Sequence, residues 1–387
     1  MILRLLLFSI SVSLAACGIP GKISRLLFGE PNTRSPAPLE EIEGTVEVER
    51  LWIKKIGKGA GERYLKLNPV TIGQVVFAAD WKGRVTAVDV ESGQAIWKQD
   101  LGRPVSGGPG AGEGKVYVGT SDGEVLALSQ EDGRVVWKTP VSSEVLSAPR
   151  AANGVAIART VDGKLFGLNA NSGRRRWVYE RAEPVLTLRG TSAPTLIDGL
   201  VVAGFDSGRL VALDISTGRL TWEARIAMPS GRSDLERMVD IDSQPLVSVG
   251  TIYVATLQGR VAAVSLDRGQ TLWSRDISSQ AGIGMDDRNV YLTDEESKIL
   301  ALDQLTGNPV WKQEKLVARS LTAPISIGPY LVVGDFEGYL HWMRRGDGQL
   351  VARAKLDDSR ILAPPLGTAD MVLAYSTDGR LAAFRLR

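Results

Sequence analysis

This 387-residue chain has one cysteine, one histidine and almost no net charge: 46 basic residues stand against 44 acidic ones, for +2. A lone cysteine excludes an internal disulfide, so the fold must rest on packing. The lone histidine, His341, has no Cys or second His to join it, which excludes a His/Cys metal cluster. It reads as a packing or surface residue. The charge balance argues against nucleic acid or an acidic membrane surface as a partner. No Walker loop or complete dinucleotide fingerprint appears in a strand-to-helix setting. The glycines at 102, 107, 108, 110, 112 and 114 precede a strand and read as turns. No Ser–His pair can be assembled, and the acidic pairs 286–287 and 357–358 read as solvated loop residues. Neither catalytic residue, metal nor cofactor is expected.

What the chain does have is a repeat. AVDVESGQAIW at 87–97 returns as ALSQEDGRVVW at 127–137, GLNANSGRRRW at 167–177, ALDISTGRLTW at 212–222, AVSLDRGQTLW at 263–273 and ALDQLTGNPVW at 301–311. Seven units begin near a proline: Pro69, Pro109, Pro149, Pro194, Pro245, Pro324 and Pro365. The eighth carries Ile283 in that slot. Fourteen residues on stands Gly83, Gly123, Gly163, Gly208, Gly259, Gly338 or Gly379, with Ser297 in the odd unit. Between these landmarks lie β-branched and apolar runs such as KVYVGT (115–120), then alternating runs such as EVLAL (124–128). Four short strands with Gly turns make a blade, and a repeat of about 40 residues with only strand and turn signals is a radial array.

The predicted fold is therefore all-β, an eight-bladed β-propeller spanning 45–387. Each repeated Trp should pack across the seam to the next blade, where Ala and Gly leave room for an indole. Trp81 and Trp342 fall outside this slot and are assigned to local packing. The last unit stops at Arg387 without a Trp strand, whereas 46–54 (VEVERLWIK) is a strand with no hairpin of its own before it. Its Trp52 strand should complete the eighth blade and close the ring, removing open edges.

Residues 1–16 read as a secretory signal, with Arg4 followed by a mostly apolar run over 5–14 that is too short to span a bilayer with its flanks. Leu14-Ala15-Ala16-Cys17 looks like a bacterial lipobox, which would make Cys17 an acylated N-terminus. Gly18 rather than Asp after it points to the outer membrane. Residues 17–44 contain Pro20, Pro31, Pro36 and Pro38 and read as a flexible tether. The 27 residues after Cys17 have a coil span of roughly 30 Å.

The connectors vary. From each Trp to the next proline slot the step is 12 residues at Trp97 and Trp137, then 17 at Trp177 and 23 at Trp222, and it shortens again afterwards. The two long connectors are consecutive, so they should lie side by side on one face as a raised surface. One carries Leu186, Leu188 and Arg189; the other carries Arg232, Glu236, Arg237, Met238, Asp240 and Asp242. Apolar residues mixed with Arg and Asp suit a protein–protein site. The alternative is that the leucines fold back and Arg189 pairs internally with Asp240 or Asp242.

The lipobox, the proline-containing tether, eight quinoprotein-type repeats and the two long connectors together resemble the BamB family, the propeller lipoproteins of the β-barrel assembly machinery in Gram-negative outer membranes. The resemblance covers essentially the whole chain, and its more specific part is LTLRG at 186–190 followed by DID at 240–242. It implies a non-catalytic scaffold, lipid-anchored and facing the periplasm, that binds a POTRA domain of the barrel-inserting subunit BamA and assists outer-membrane protein insertion. By motif, the implied contacts are Leu186, Leu188, Arg189, Asp240 and Asp242, with Cys17 lipidated. Unfolded outer-membrane precursors are a further implied partner. Ala352 in the seventh Trp slot, Ile283 and Ser297 depart from the repeat. Two other readings stay open: a quinone-dependent dehydrogenase-like propeller and a periplasmic peptide- or carbohydrate-binding propeller. Dehydrogenases of that type hold their quinone with calcium, a catalytic acid and usually a vicinal cysteine pair, which this chain lacks.

Overall fold

A computed structural model describes residues 35–42, 46–181, 192–229, 232 and 238–387. The expected signal segment and Cys17 lie outside the described residues. Among the described residues every regular element is a β-strand, and the strands form eight four-stranded antiparallel sheets. Seven are built from consecutive strands: blades 1 to 7 span 70–100, 105–140, 150–180, 195–225, 246–275, 283–313 and 325–355. The eighth joins three strands from the end of the chain to Val48–Lys55 from its beginning. Val48–Lys55 pairs antiparallel with Arg380–Leu386, from Val48 opposite Leu386 to Lys55 opposite Arg380. The innermost strands of blades 8 and 1, Leu366–Thr368 and Val70–Ile72, also touch, so the sheets form a ring. The compact unit begins at Pro36, so the end of the segment read as a tether belongs to it.

The repeat spacing explains the seams. In seven of the eight, a Trp indole Nε1 donates to a backbone carbonyl in the C-terminal hairpin of the next blade. The pairs are Trp52 to Val90, Trp97 to Gln130, Trp137 to Ala170, Trp177 to Ile215, Trp222 to Leu266, Trp273 to Gln304 and Trp311 to Arg345, at 2.7–3.0 Å. Three residues after each acceptor stands the repeat's glycine, Gly93 in blade 1. Here φ is +68°, and a methyl would lie 2.5 Å from the Trp52 ring. Glycine is therefore required twice over, for the left-handed turn and for the close approach of the indole. The same short clearance, 2.5–2.6 Å, recurs at the other six glycines.

This geometry accounts for two of the departures. Blade 8 is split between the two ends of the chain and has no such hairpin, so blade 7 has no glycine or carbonyl to receive an indole. Its slot holds Ala352, packed with Trp342, Val48 and Phe384. Ser297 takes the left-handed conformation of the glycines it replaces (φ +66°).

Candidate docking site

In an antiparallel blade, the turn between the second and third strands and the connector to the next blade share one face. The two long connectors, between blades 3 and 4 and between blades 4 and 5, emerge there. Leu186, Leu188, Arg189, Glu236 and Arg237 lie outside the described residues, and so does the expected pairing of Arg189 with the aspartates. The connector ends are described, and they are stitched together. Ser192 Oγ donates to the Ser243 carbonyl at 2.8 Å, Thr195 Oγ1 to the Pro245 carbonyl at 2.5 Å, and Gln244 Nε2 to Thr195 Oγ1 at 3.3 Å. Met238, Val239 and Ile241 are buried, and Ile241 fills the space left by Gly204 in blade 4. The Ile241 N–H donates to the Phe205 carbonyl. Arg232 is exposed.

The two aspartates of the DID segment occupy different surroundings. Asp240 is buried, with its backbone carbonyl accepting from Leu257 N at 2.9 Å. Asp242 is partly buried, and its Oδ1 has no hydrogen-bond partner among the described residues. Burial, reinforced by the nearby Asp206 carboxylate, pushes the Asp242 carboxyl up to about 6, while Lys66 and Arg159 pull against that rise. Asp206 itself is paired with Arg159 at 2.7 Å, both fully buried, and the Arg159 guanidinium lies over the Phe205 ring. Arg150 Nη2 donates to Gln244 Oε1 at 2.9 Å. Lys66, on the lead-in to blade 1, donates to the Gln280 carbonyl on the lead-in to blade 6 at 3.1 Å. Burial lowers the Lys66 ammonium, and Asp242 raises it.

Sequence spacing did not reveal this ionic bed beside the described connector ends. One signal was available: Arg159 stands ten residues after its proline, where other repeats have Ala79, Gly119, Gly204, Ala255 and Gly334. A charge in a slot that five other repeats fill with alanine or glycine marks a special seam.

A second buried network lies at blades 6 and 7. Arg319, on the connector between them, pairs with buried Asp335 at 2.7 Å and with Glu337. Asp335 also meets His341 Nε2 at 3.0 Å, and Arg353 Nε donates to His341 Nδ1 at 3.3 Å, which sets the Nε2–H tautomer. His341 is wholly buried, and burial holds its pKa below the ordinary value against the pull of Asp335. The 36–42 segment is strapped over this network. Ala37 N donates to the Val317 carbonyl, Arg319 Nη1 to the Ala37 carbonyl and Arg353 Nη1 to the Glu40 carbonyl, at 2.9–3.1 Å. Leu39 packs into the hydrophobic cluster around Leu316, Leu321 and Met343.

The acidic pairs read as solvated loops split in two. Asp286 is buried beneath Tyr291 and Arg345, and Asp357 beneath Ser376, whereas Asp287 and Asp358 are solvated. The first member of each pair accepts backbone N–H groups of its own turn, a role invisible to composition. Among the described residues no group of three or more His, Cys, Asp or Glu is placed to hold a metal ion.

A family model described as outer membrane protein assembly factor BamB matches residues 81–313 and 297–386. The chain belongs to the BamB family. It is 47% identical over 373 residues to the BamB of Alkalilimnicola ehrlichii, covering 96% of this chain and 94% of that protein. With the BamB of Pseudomonas aeruginosa it shares 46% over 352 residues, covering 91% and 93%. The crystal structure of BamB from Moraxella catarrhalis superposes with a TM-score of 0.81 at 25% identity, covering 88% of this chain and all of that one. These BamB relatives carry the name of assembly factors, and the ring described above is the family's architecture.

Proposed function

We propose that this chain is a non-catalytic, lipid-anchored scaffold of the outer-membrane β-barrel assembly machinery, binding a periplasmic POTRA domain of BamA and assisting insertion of outer-membrane proteins. In this reading residues 1–16 are removed, Cys17 is acylated and the ring 45–387 faces the periplasm. Acyl chains contribute about 0.8 kcal/mol per buried methylene, so several of them hold the protein at the membrane permanently. Confinement to one surface raises the effective concentration of ring and partner.

The observation that carries the proposal is the stitching of residues 192–195 to 243–245, which holds the ends of the two long connectors side by side on one face. A docking surface needs such a rigid base, because ordering loops on binding costs affinity. Leu186 and Leu188 supply apolar anchors and Arg189 a directed charge contact. Asp240 and Asp242, at the described end of the second connector, supply partner contacts or brace Arg189. The test is a Leu186→Ala/Arg189→Ala double variant assayed for capture of purified BamA POTRA domains. The expected result is weakened capture with an unchanged melting curve. Capture that survives, or that falls only in step with folding, would overturn the proposal. A crosslinking probe at Leu188 in intact outer membranes should label the same partner.

A further inference from the structure

The hairpin between the third and fourth strands of blade 3 reads NANSGRRRW over 169–177, with three positive charges and no acid. The matching hairpins of blades 1, 2, 4, 5, 6 and 7 carry −2, −1, 0, 0, −1 and +1. Two changes make the difference. Asn169 and Asn171 stand where blade 1 has Asp89 and Glu91, and Arg175 and Arg176 stand where other blades have pairs such as Ala95-Ile96, Val135-Val136 and Thr271-Leu272. Arg174, Arg175 and Arg176 are all exposed, and none makes an ion pair among the described residues. They line one open groove with Thr139, Asn169 and Ser172. The hairpin under them is held firmly. Thr139 Oγ1 donates to the Gly173 carbonyl at 2.7 Å, and Asn169 Oδ1 accepts the N–H groups of Asn171 and Ser172 at 3.0 Å. Lys115 of blade 2 brings a fourth cation, its Nζ donating to Asn171 Oδ1 at 3.1 Å. Glu113, close by, accepts the Gly154 N–H at 3.1 Å.

We propose that this hairpin docks an acidic protein segment, on the face of the ring opposite the long connectors. The inference is independent of the docking reading given above. In an antiparallel blade the hairpin between the third and fourth strands points away from the connector, so the two surfaces do not overlap. Three guanidinium forks without internal partners match the paired oxygens of aspartate and glutamate side chains. A hairpin already fixed by its own hydrogen bonds loses little freedom on binding. Guarding a sheet edge against aggregation is another use for charge on an outer strand. It does not account for these arginines, since Ile96, Val136, Leu272 and Val310 leave the Arg176 position of other blades apolar and 47–54% exposed. A flat anionic bilayer is the wrong shape, because it would meet several hairpins of this face at once, and the seven together carry no net charge. A narrow acidic segment meets blade 3 alone, and screening over roughly 8–10 Å mutes the acidic hairpins farther round the ring.

The experiment compares two triple variants of the full chain that remove the same charge from the same face. One is Arg174→Gln/Arg175→Gln/Arg176→Gln; the other is Arg134→Gln/Arg219→Gln/Arg268→Gln, which takes one exposed arginine from each of three other hairpins. The probe is a fluorescein-labelled hexaglutamate peptide, titrated by anisotropy at low and at physiological salt, with melting followed in parallel. Wild type should bind the peptide, more weakly as salt rises. The blade 3 variant should bind about tenfold more weakly, as expected for the loss of three exposed ion pairs. The scattered variant should bind within about twofold of wild type, and both should melt as wild type does. Equal losses in the two variants would reduce the effect to net charge and overturn the site, as would no binding by wild type or a blade 3 loss that merely tracks unfolding. A second arm uses vesicles with and without phosphatidylglycerol. Preference for the anionic vesicles that disappears in the blade 3 variant, with peptide binding unaffected, would assign the arginines to a lipid surface and overturn the protein reading.

Discussion

The closing seam can be attacked from both sides, at Trp52 and at Gly93. Trp52 is only 8% exposed. Burial of 150–250 Å² of aromatic surface at about 25 cal/mol per Å² stabilises by about 4–6 kcal/mol, little of which an alanine keeps. Trp52→Ala also strands the Val90 carbonyl that accepts the indole N–H. After partial collapse of the site the expected loss is about 3–5 kcal/mol. Gly93→Ala places a methyl 2.5 Å from the Trp52 ring at φ +68°. Overpacking costs about 1–3 kcal/mol and the left-handed conformation about 1–2 kcal/mol more. In the double variant the methyl meets no ring, so only the conformational cost remains. The double variant should thus be more stable than the summed losses by about 1–3 kcal/mol, the overpacking share. Gly73→Ala is the control, because Gly73 is also left-handed (φ +57°) but a methyl there meets nothing within 4 Å. Urea unfolding of the set, followed by far-ultraviolet circular dichroism, yields the coupling directly. Additive losses would mean that indole and glycine do not meet, and the account of the seam would fall.

Removal of residues 1–35 should leave the melting temperature unchanged. Removal through Ile42 also strips Leu39 from its cluster and two carbonyl acceptors from Arg319 and Arg353, and should lower stability by about 2–4 kcal/mol. Removal through Lys54 takes away the strand paired with Arg380–Leu386 and should abolish a cooperative transition in calorimetry. His341 supplies an acid limb. Its folded pKa lies below the ordinary value of 6.5, so on acidification the unfolded chain takes the proton first. Its contribution is therefore complete above pH 6.5 and lost as pH falls toward the folded value. In His341→Gln the decline of the urea midpoint below pH 6.5 should be shallower. Asp242 has the opposite sign: its folded value of about 6 exceeds 3.8, so its ionisation lowers stability as pH rises from about 4 to 6. Each pH unit between the unfolded and folded values is worth about 1.4 kcal/mol. Asp242→Asn should therefore be more stable than wild type at pH 7, by up to about 3 kcal/mol, and equal to it at about pH 3.5. A destabilised Asn variant at neutral pH would refute the reading.

The ring was legible because its determinants are periodic. The glycine-to-Trp step of four places an indole in blades 1 to 6, and the step of fourteen from the proline slot to the turn counts eight units. Spacing also showed where the connectors lengthen. It could not show that the Lys66 ammonium meets the Gln280 carbonyl, since the two are 214 positions apart and come together only when the ring closes. The same limit hid the strap, where Leu39 packs near residues about 280 positions later. His341 read as a packing or surface residue and is wholly buried, but its polar partners, Asp335 and Arg353, come from a turn and a neighbouring strand. The acidic pairs misled because exposure was inferred from loop context, whereas Asp286 and Asp357 cap their own turns.

Where the chain breaks its own rules is informative about what the ring is for. Seven seams repeat one solution, indole on glycine, and blade 8's split explains the eighth without any functional demand. The ionic bed has no such explanation. Replacing a buried ion pair by apolar residues is often neutral or stabilising, so Arg159–Asp206 and a carboxylate raised to about 6 are poor devices for stability alone. Small residues fill the Arg159 slot in five other repeats, and serine, leucine, threonine or glutamine fills the Asp242 slot in six, so the ring closes well without these charges. They lie in blades 3, 4 and the lead-in to blade 5, beside the described ends of the two connectors that depart from the repeat length. At these blades departures in length and in buried charge coincide, the pattern expected when stability is given up at a binding surface and recovered in the surrounding seams, whereas the buried Arg319–Asp335–His341 network lies under the 36–42 strap.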